Sequence, residues 1–150
     1  MSAWFMMAVC FTVTPVVSGT PLLGAKQCAT CHPKAYQHWK ASAHANAARH
    51  LTAAERRNPQ CTRCHAPNAR DGLVGVQCEI CHGAGRQYWP AEIMKNAERA
   101  KLLGLKSGDD EAMCRQCHHS PTTRGQPFDY VRALERIRHI LTPSTPGDRP

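Results

Sequence analysis

The feature of this 150-residue chain that most constrains its fold is a five-residue pattern, Cys-x-x-Cys-His, which occurs four times. The copies, which we call the first to fourth motifs, are residues 28–32, 61–65, 78–82 and 114–118. Two thiols about one helical turn apart can add to the two vinyl groups on one edge of a porphyrin, and the following histidine can then bind the iron. The pattern predicts four covalently bound haem c groups.

This prediction assigns a role to every Cys and His of the pattern. The thiols that attach the porphyrins belong to Cys28, Cys31, Cys61, Cys64, Cys78, Cys81, Cys114 and Cys117. The histidines that bind iron from the proximal side are His32, His65, His82 and His118.

Zinc is the main alternative explanation for paired cysteines. Cys61, Cys64, Cys78 and Cys81 alone could form a four-thiolate zinc site. Histidine accounts for 9 of the 150 residues, so a histidine after all four pairs would arise by chance with a probability of about 10⁻⁵. Disulfide bonds would not require these histidines either, and haem attachment is therefore favoured.

The composition of residues 26–150 leaves little material for an apolar core. Leu, Ile, Val and Phe together account for 15 of these 125 residues. A share below about 20% combined with a high net charge, here +8, is typical of disorder. Buried porphyrins would supply the missing apolar surface. We therefore expect a mainly α, loop-rich multihaem fold with a haem-dominated core and little or no sheet.

Three segments have helical patterns. Pro33 suits the first turn of a helix that continues through an Ala-rich stretch, residues 34–51. A second helix is predicted over residues 91–103, after Pro90. Asp129 is the expected N-cap of the third, whose apolar face would consist of Tyr130, Leu134, Ile137 and Leu141.

Residues 1–25 contain no Lys, Arg, Asp or Glu. Their apolar run, residues 3–17, is too short for a membrane-spanning helix but fits the core of a secretory leader, although a basic N-terminal region is missing. Cleavage could follow Gly19 or Ala25, and an uncleaved apolar anchor near a membrane is the alternative. We expect residues 26–141 to form one tetrahaem domain and the Pro-, Thr- and Gly-containing residues 142–150 to form a flexible tail.

The second axial position of each iron decides between an electron carrier and a catalyst, because a second strong ligand closes the iron to substrates. Five histidines lie outside the motifs: His38, His44, His50, His119 and His139. His119 follows a motif histidine and so points away from that haem, towards another one. His44 has small Ala neighbours that allow a porphyrin to approach. His139 lies off the apolar face of the third helix, which is compatible with either ligation or solvation.

Several local patterns resemble the cytochrome c-554 type of multihaem proteins. The first motif is followed by Tyr36, Trp39, Ser42 and His44, and Asn58-Pro59-Gln60 precedes the second motif. The most specific stretch is residues 75–85, which runs Gly-Val-Gln-Cys-Glu-Ile-Cys-His-Gly-Ala-Gly. Phe128-Asp129-Tyr130 and Ile137-Arg138-His139 complete the resemblance.

The resemblance implies an exported, tetrahaem protein with closely stacked haem pairs that passes electrons between periplasmic redox partners. In the best-known case the electrons come from hydroxylamine oxidation. It also implies that His44 and His139 are distal ligands, whereas His38 and His50 fall on variable positions. His119 departs from the family pattern and is expected to ligate a haem that is left open in relatives.

The sequence thus predicts an exported electron carrier, in the periplasm or outside the cell, rather than an enzyme. Each ferric haem with ionised propionates contributes a charge of about −1, so some Lys and Arg are expected to pair with propionates. The remaining positive charge favours acidic redox proteins, not nucleic acid, as partners. A redox enzyme for nitrogen oxides or hydroxylamine with one open haem, and a subunit of an extracellular cytochrome filament, are the alternatives.

Overall fold

The computed structural model describes residues 22–119 and 127–139, and this part of the chain is helical. It contains the α-helices α1 (Ala25–Ala29), α2 (Pro33–Ala41), α3 (Pro59–His65), α4 (Cys78–His82), α5 (Ala91–Met94), α6 (Ala97–Leu102), α7 (Glu111–Arg115) and α8 (Tyr130–Ile137). Short 3₁₀ turns occupy Ala47–His50, Glu55–Arg57, Ala69–Asp71 and Gly85–Gln87. No strand occurs among the described residues, so the predicted mainly α, loop-rich class is confirmed. None of the helices in these two ranges is long and apolar enough to span a bilayer.

Side-chain caps explain where several of these short helices begin. The side chain of Asn58 accepts a hydrogen bond from the backbone N–H of Gln60, and Asp110 accepts one from Ala112. Asp129 caps α8 through the backbone N–H of Arg132 at 3.1 Å, which confirms the predicted N-cap.

Two predicted helices are shorter than expected. The Ala-rich helix ends at Ala41, because Ser42 is extended and the side chain of Asn46 donates to the carbonyl oxygen of Ser42 at 2.9 Å. Such side-chain bonds to the backbone compete with helix continuation. The helix predicted over residues 91–103 is divided into α5 and α6 at Asn96, which caps α6. Leu141, most of the predicted leader and the predicted tail lie outside the described residues.

The apolar core is very small. The buried hydrophobic residues in the described part of the chain are Ala25, Ala48, Ala66, Tyr88 and Ala100, and none of the larger side chains there is fully buried. The short helices therefore do not hold together through packed aliphatic side chains, as the low aliphatic content of the sequence predicts.

Hydrogen bonds from the start of the described chain to α4 replace part of that packing. The side-chain oxygen of Gln77 accepts from the backbone N–H of Ala25 at 3.0 Å, and its amide donates to the carbonyl oxygen of Val74 at 2.6 Å. The carboxylate of Glu79 accepts from the N–H groups of Leu23 and Gly24. These bonds hold α1 against α4, and with it the first motif against the third.

Candidate functional site

Each of the four motifs forms a helical turn, although only two of them lie wholly within an α-helix. The third motif coincides with α4, and the second ends α3. The first and fourth motifs begin in α1 and α7 and continue the helical hydrogen bonding, from His32 N–H to Cys28 and from His118 N–H to Cys114, at 2.9 and 3.0 Å. This local geometry brings both cysteines and the histidine to one side of the turn, as haem attachment requires.

The motifs are not neighbours in chain order. The backbone N–H groups of Gly24 and Ala25 donate to the side chains of Glu79 and Gln77, which places the first motif beside the third. The thiols of these two motifs interact, because Cys28 affects the pKa of Cys78. Cys64 likewise affects the pKa of Cys117, which places the second motif near the fourth. Cys114 is close enough for its charge to raise the pKa of Cys81. The fourth motif therefore lies near the third. The motifs therefore form one spatial series, in the order first, third, fourth, second.

The environment of the thiols disfavours their ionised form. Burial raises the pKa of Cys81 and of Cys114. Burial and the hydrogen bond with Cys64 raise the pKa of Cys117 to about 12. Cys28 differs, because its bond with Cys78 lowers its pKa. Within residues 22–119 and 127–139, no group of three or more His, Cys, Asp or Glu side chains is arranged to hold a metal ion.

Two of the motif histidines have a second imidazole ring at the separation that two ligands of one iron would have. The ring centroids of His44 and His118 are 6.0 Å apart, and those of His82 and His139 are 5.7 Å apart. Imidazole nitrogens bound about 2 Å from opposite sides of one metal place the ring centroids about 6 Å apart. The donor set therefore fits haem iron at the third and fourth motifs.

Hydrogen bonds orient two of the motif histidines. The Nδ1 atom of His82 is 3.0 Å from the carbonyl oxygen of Lys106, and that of His65 is 2.9 Å from the carbonyl oxygen of Ala47. A carbonyl only accepts, so Nδ1 carries the proton and donates it, and Nε2 keeps its lone pair for iron.

The ring of His118 is oriented by stacking instead. It lies on the ring of Phe128 with centroids 4.5 Å apart and an interplanar angle of 10°. The guanidinium of Arg115 lies over the same phenyl ring, 5.7 Å from its centroid. Phe128 thus supports a motif histidine from outside the motif, a role that the sequence pattern alone did not reveal.

A glycine in the loop before the third motif places His44. Gly75 has a φ of 76°, and a Cβ atom there would meet the carbonyl oxygens of Ala45 and His44. The next residue, Val76, donates its N–H to the carbonyl oxygen of His44 at 2.9 Å. His44 therefore lies in a turn held by this loop and not in a helix, where the sequence analysis had placed it.

Burial favours the neutral form of His44 and His118. Burial lowers the pKa of both, and the neighbouring His118 lowers that of His44 further. The neutral imidazole is the form that binds metals. Burial also lowers the pKa of His139 and of His32, and for His32 the neighbouring His82 adds to the effect.

The other histidines differ in their surroundings. His38 is exposed, and its Nε2 lies 3.2 Å from the carbonyl oxygen of Arg136, while its ring is 6.4 Å from that of His139. This link between α2 and α8 joins residues far apart in the sequence and was not predicted. His50 and His119 are exposed. His119 aside, the described residues offer neither His32 nor His65 an imidazole partner like those of His118 and His82.

Comparison with known proteins points to the same chemistry. Residues 27–83 match the family described as cytochrome c554 and c-prime. The matched segment is less than half of the chain and includes the first three motifs but not the fourth. It supports a c-type cytochrome, an electron-transfer protein with covalently bound haem c. No curated protein and no solved structure matches the chain.

Proposed function

We propose that this chain is an exported tetrahaem c-type cytochrome that passes electrons between redox proteins of the periplasm or the extracellular space. The observation that carries the proposal is that the four attachment motifs lie near one another in the order first, third, fourth and second. Hydrogen bonds from Gly24 and Ala25 join the first to the third, and the thiols of neighbouring motifs shift one another's pKa along the rest of the series. Each bound haem supplies an iron that accepts and returns one electron. The chain's own contribution is to hold the four attachment sites side by side.

The paired imidazoles favour transport over catalysis at two of the sites. The ring centroids of His44 and His118 are 6.0 Å apart, and those of His139 and His82 are 5.7 Å apart. Two imidazole ligands leave an iron no open position for a substrate. The hydrogen bond from His82 to Lys106 and the stacking of His118 on Phe128 hold two of these rings in place, so little rearrangement should accompany oxidation or reduction of the iron.

Positive charge at one end of the series supports an acidic redox partner. Five exposed arginines lie on and around the second motif, namely Arg49, Arg56, Arg57, Arg63 and Arg70. The same stretch contains two exposed carboxylates, Glu55 and Asp71. This basic surface would steer a weak encounter with a negatively charged protein, after some arginines have paired with propionates.

The first test is the number of haems. Purified protein from a host that attaches c-type haem should contain four haems per chain by mass spectrometry, and acidic organic solvent should not extract them. Replacing Cys114 and Cys117 together by Ala should lower the count to three or prevent accumulation, because the fourth motif would then have no thiols. Fewer than four haems in the wild type, or stoichiometric zinc, would overturn the proposal.

A redox enzyme for a nitrogen oxide or hydroxylamine is the second candidate. Its support is that, apart from His119, no imidazole among the described residues pairs with His32 or His65. An iron with one protein ligand can bind a small molecule. The carrier proposal instead expects His119, together with His38, His50 or a second chain, to close these sites.

Carbon monoxide binding to the reduced protein separates the two candidates. A carrier with closed sites should bind it slowly and substoichiometrically, because a protein ligand must leave first. Fast binding at one haem per chain, together with turnover of hydroxylamine or nitrite, would favour the enzyme.

A further inference from the structure

A buried carboxylate lies inside the third motif. Glu79 is 5% exposed, and its two oxygens accept hydrogen bonds from three backbone N–H groups. Oε1 accepts from Leu23 at 3.2 Å and from Gly85 at 2.7 Å, and Oε2 accepts from Gly24 at 2.8 Å. Both oxygens act only as acceptors, which is the pattern of an ionised carboxylate.

Among the described residues, side-chain ion pairs join Lys101 to Glu98 and Arg115 to Glu111, and Glu79 forms none. Its hydrogen bonds come from neutral backbone groups, which stabilise the negative charge without cancelling it. The charge of this carboxylate therefore lies buried beside the thiols of the third motif and is held by backbone N–H groups.

The field of Glu79 reaches the contact between the first and third motifs. The pKa of Cys78 is raised by its hydrogen bond with Cys28 and by burial, and the charge of Glu79 adds to the rise. Burial raises the pKa of Tyr88, and Glu79 contributes in the same direction. Glu79 also opposes the lowering of the pKa of Cys28. The charge thus acts on attachment thiols of both motifs.

We propose that Glu79 keeps the haems of the first and third motifs at lower reduction potentials than those of the second and fourth motifs. The proposal rests on the proposed function. A ferric haem carries one more positive charge than a ferrous one, so a fixed negative charge nearby stabilises the oxidised form. At a distance of about 10 Å and an effective dielectric constant of about 20, one charge shifts the ratio of oxidised to reduced haem roughly tenfold, or about 59 mV.

The charges near the other two motifs act differently. Arg63, a cation, lowers the pKa of Cys117, and so favours the reduced form on that side. Asp110 and Glu111 act on the pKa of Cys114 in the opposite sense. All three of these side chains are exposed, so water and salt screen their charges. The buried carboxylate is therefore expected to dominate the difference between the two halves of the series.

Glu79→Gln is the central variant, because it removes the charge and nearly preserves the shape of the side chain. In a spectroelectrochemical titration of the haem-loaded full chain, the potentials of the first and third haems should rise, with a roughly tenfold change in the oxidised-to-reduced ratio. The haems are assigned to motifs by paramagnetic NMR. The second and fourth haems should shift less than the first and third, since they are farther from the charge and more of the intervening space is screened by water and salt.

Two control variants separate charge from structure. Gln77→Ala removes the neighbouring hydrogen bond to Ala25 and leaves the charge unchanged, so it should not move the potentials. Glu111→Gln removes an equal charge from the surface beside the fourth motif, and its effect should be about twofold or less.

Several outcomes would overturn the proposal. One is a four-haem Glu79→Gln protein with unchanged potentials, and another is an equal shift in Gln77→Ala, which would assign the effect to a loosened structure. If Glu79→Gln does not accumulate, the potentials of the wild-type protein test the proposal. The two lowest potentials must then belong to the first and third haems, and any other assignment contradicts the proposal. Fewer than four haems in the wild type would instead refute the proposed function.

Discussion

At the scale of single residues, the position of His44 depends on a turn and not on helical periodicity. The chain leaves α2 at Ser42, and the loop at Gly75 and Val76 holds the backbone of His44. The imidazole then lies 6.0 Å from that of His118, measured between centroids. If the chain carries the four haems that we propose, this placement makes His44 the expected distal ligand at the fourth motif.

Replacing His44 by Ala should therefore change one haem only. That haem should become high-spin or acquire a different ligand, because the methyl group of Ala cannot bind iron. Absorption and electron paramagnetic resonance spectra of the purified variant measure the change. His50→Ala is the matched control, since His50 is exposed and pairs with none of the motif histidines in the described ranges. A His44→Ala spectrum identical to that of the wild type would rule out the assignment.

At the scale of elements, the start of the described chain is part of the folded unit. Ala25 is 2% exposed. The backbone N–H groups of Leu23 and Gly24 donate to the side chain of Glu79, and that of Ala25 donates to the side chain of Gln77. Cleavage after Ala25 would remove all three donors. A buried acceptor that loses its partner costs about 1–3 kcal/mol, and more when it is charged.

A secretory leader should accordingly be cleaved after Gly19 and not after Ala25. N-terminal sequencing and intact mass of the exported protein should show a mature chain that begins at Thr20, with residues 23–25 retained. A mature N-terminus at Lys26 would contradict this expectation, and it would also mean that the contacts of Glu79 with Leu23 and Gly24 do not exist in the exported protein.

At the scale of the whole molecule, the described chain buries too few apolar side chains to be stable as a polypeptide alone. The longest described helix, α2, has nine residues, and isolated helices shorter than about 12 residues are marginal in water. Four of the five buried hydrophobic residues in the described ranges are alanines. Porphyrins held between the motifs would supply the missing apolar contacts.

The haem-free chain is therefore expected to be unfolded. Expression without haem attachment, followed by circular dichroism, should show little helix and no cooperative thermal transition, whereas the haem-loaded chain should unfold cooperatively. The haem-loaded protein, measured in the same buffer, is the control. A cooperative transition with similar helix content in both forms would show that the polypeptide alone can fold.

Local patterns in the sequence were sufficient to predict the attachment motifs, one helix cap and the small core. The spacing of Cys and His in each motif depends on one helical turn, and the cap at Asp129 depends on the three residues that follow it, so neighbours along the chain determine both. The scarcity of aliphatic residues likewise predicted a small core and a helical, loop-rich fold. None of these inferences required contacts between distant segments.

The order of the motifs in space was decided only by the tertiary structure. The hydrogen bonds from Gly24 to Glu79 and from Ala25 to Gln77 join residues more than 50 positions apart. The influence of Cys64 on the pKa of Cys117 acts over a similar separation in the sequence. Which distant groups meet depends on the directions in which the connecting loops turn. Those directions are set by features such as the extended Ser42 and the left-handed Gly75, whose effect appears only when the segments they join have packed together.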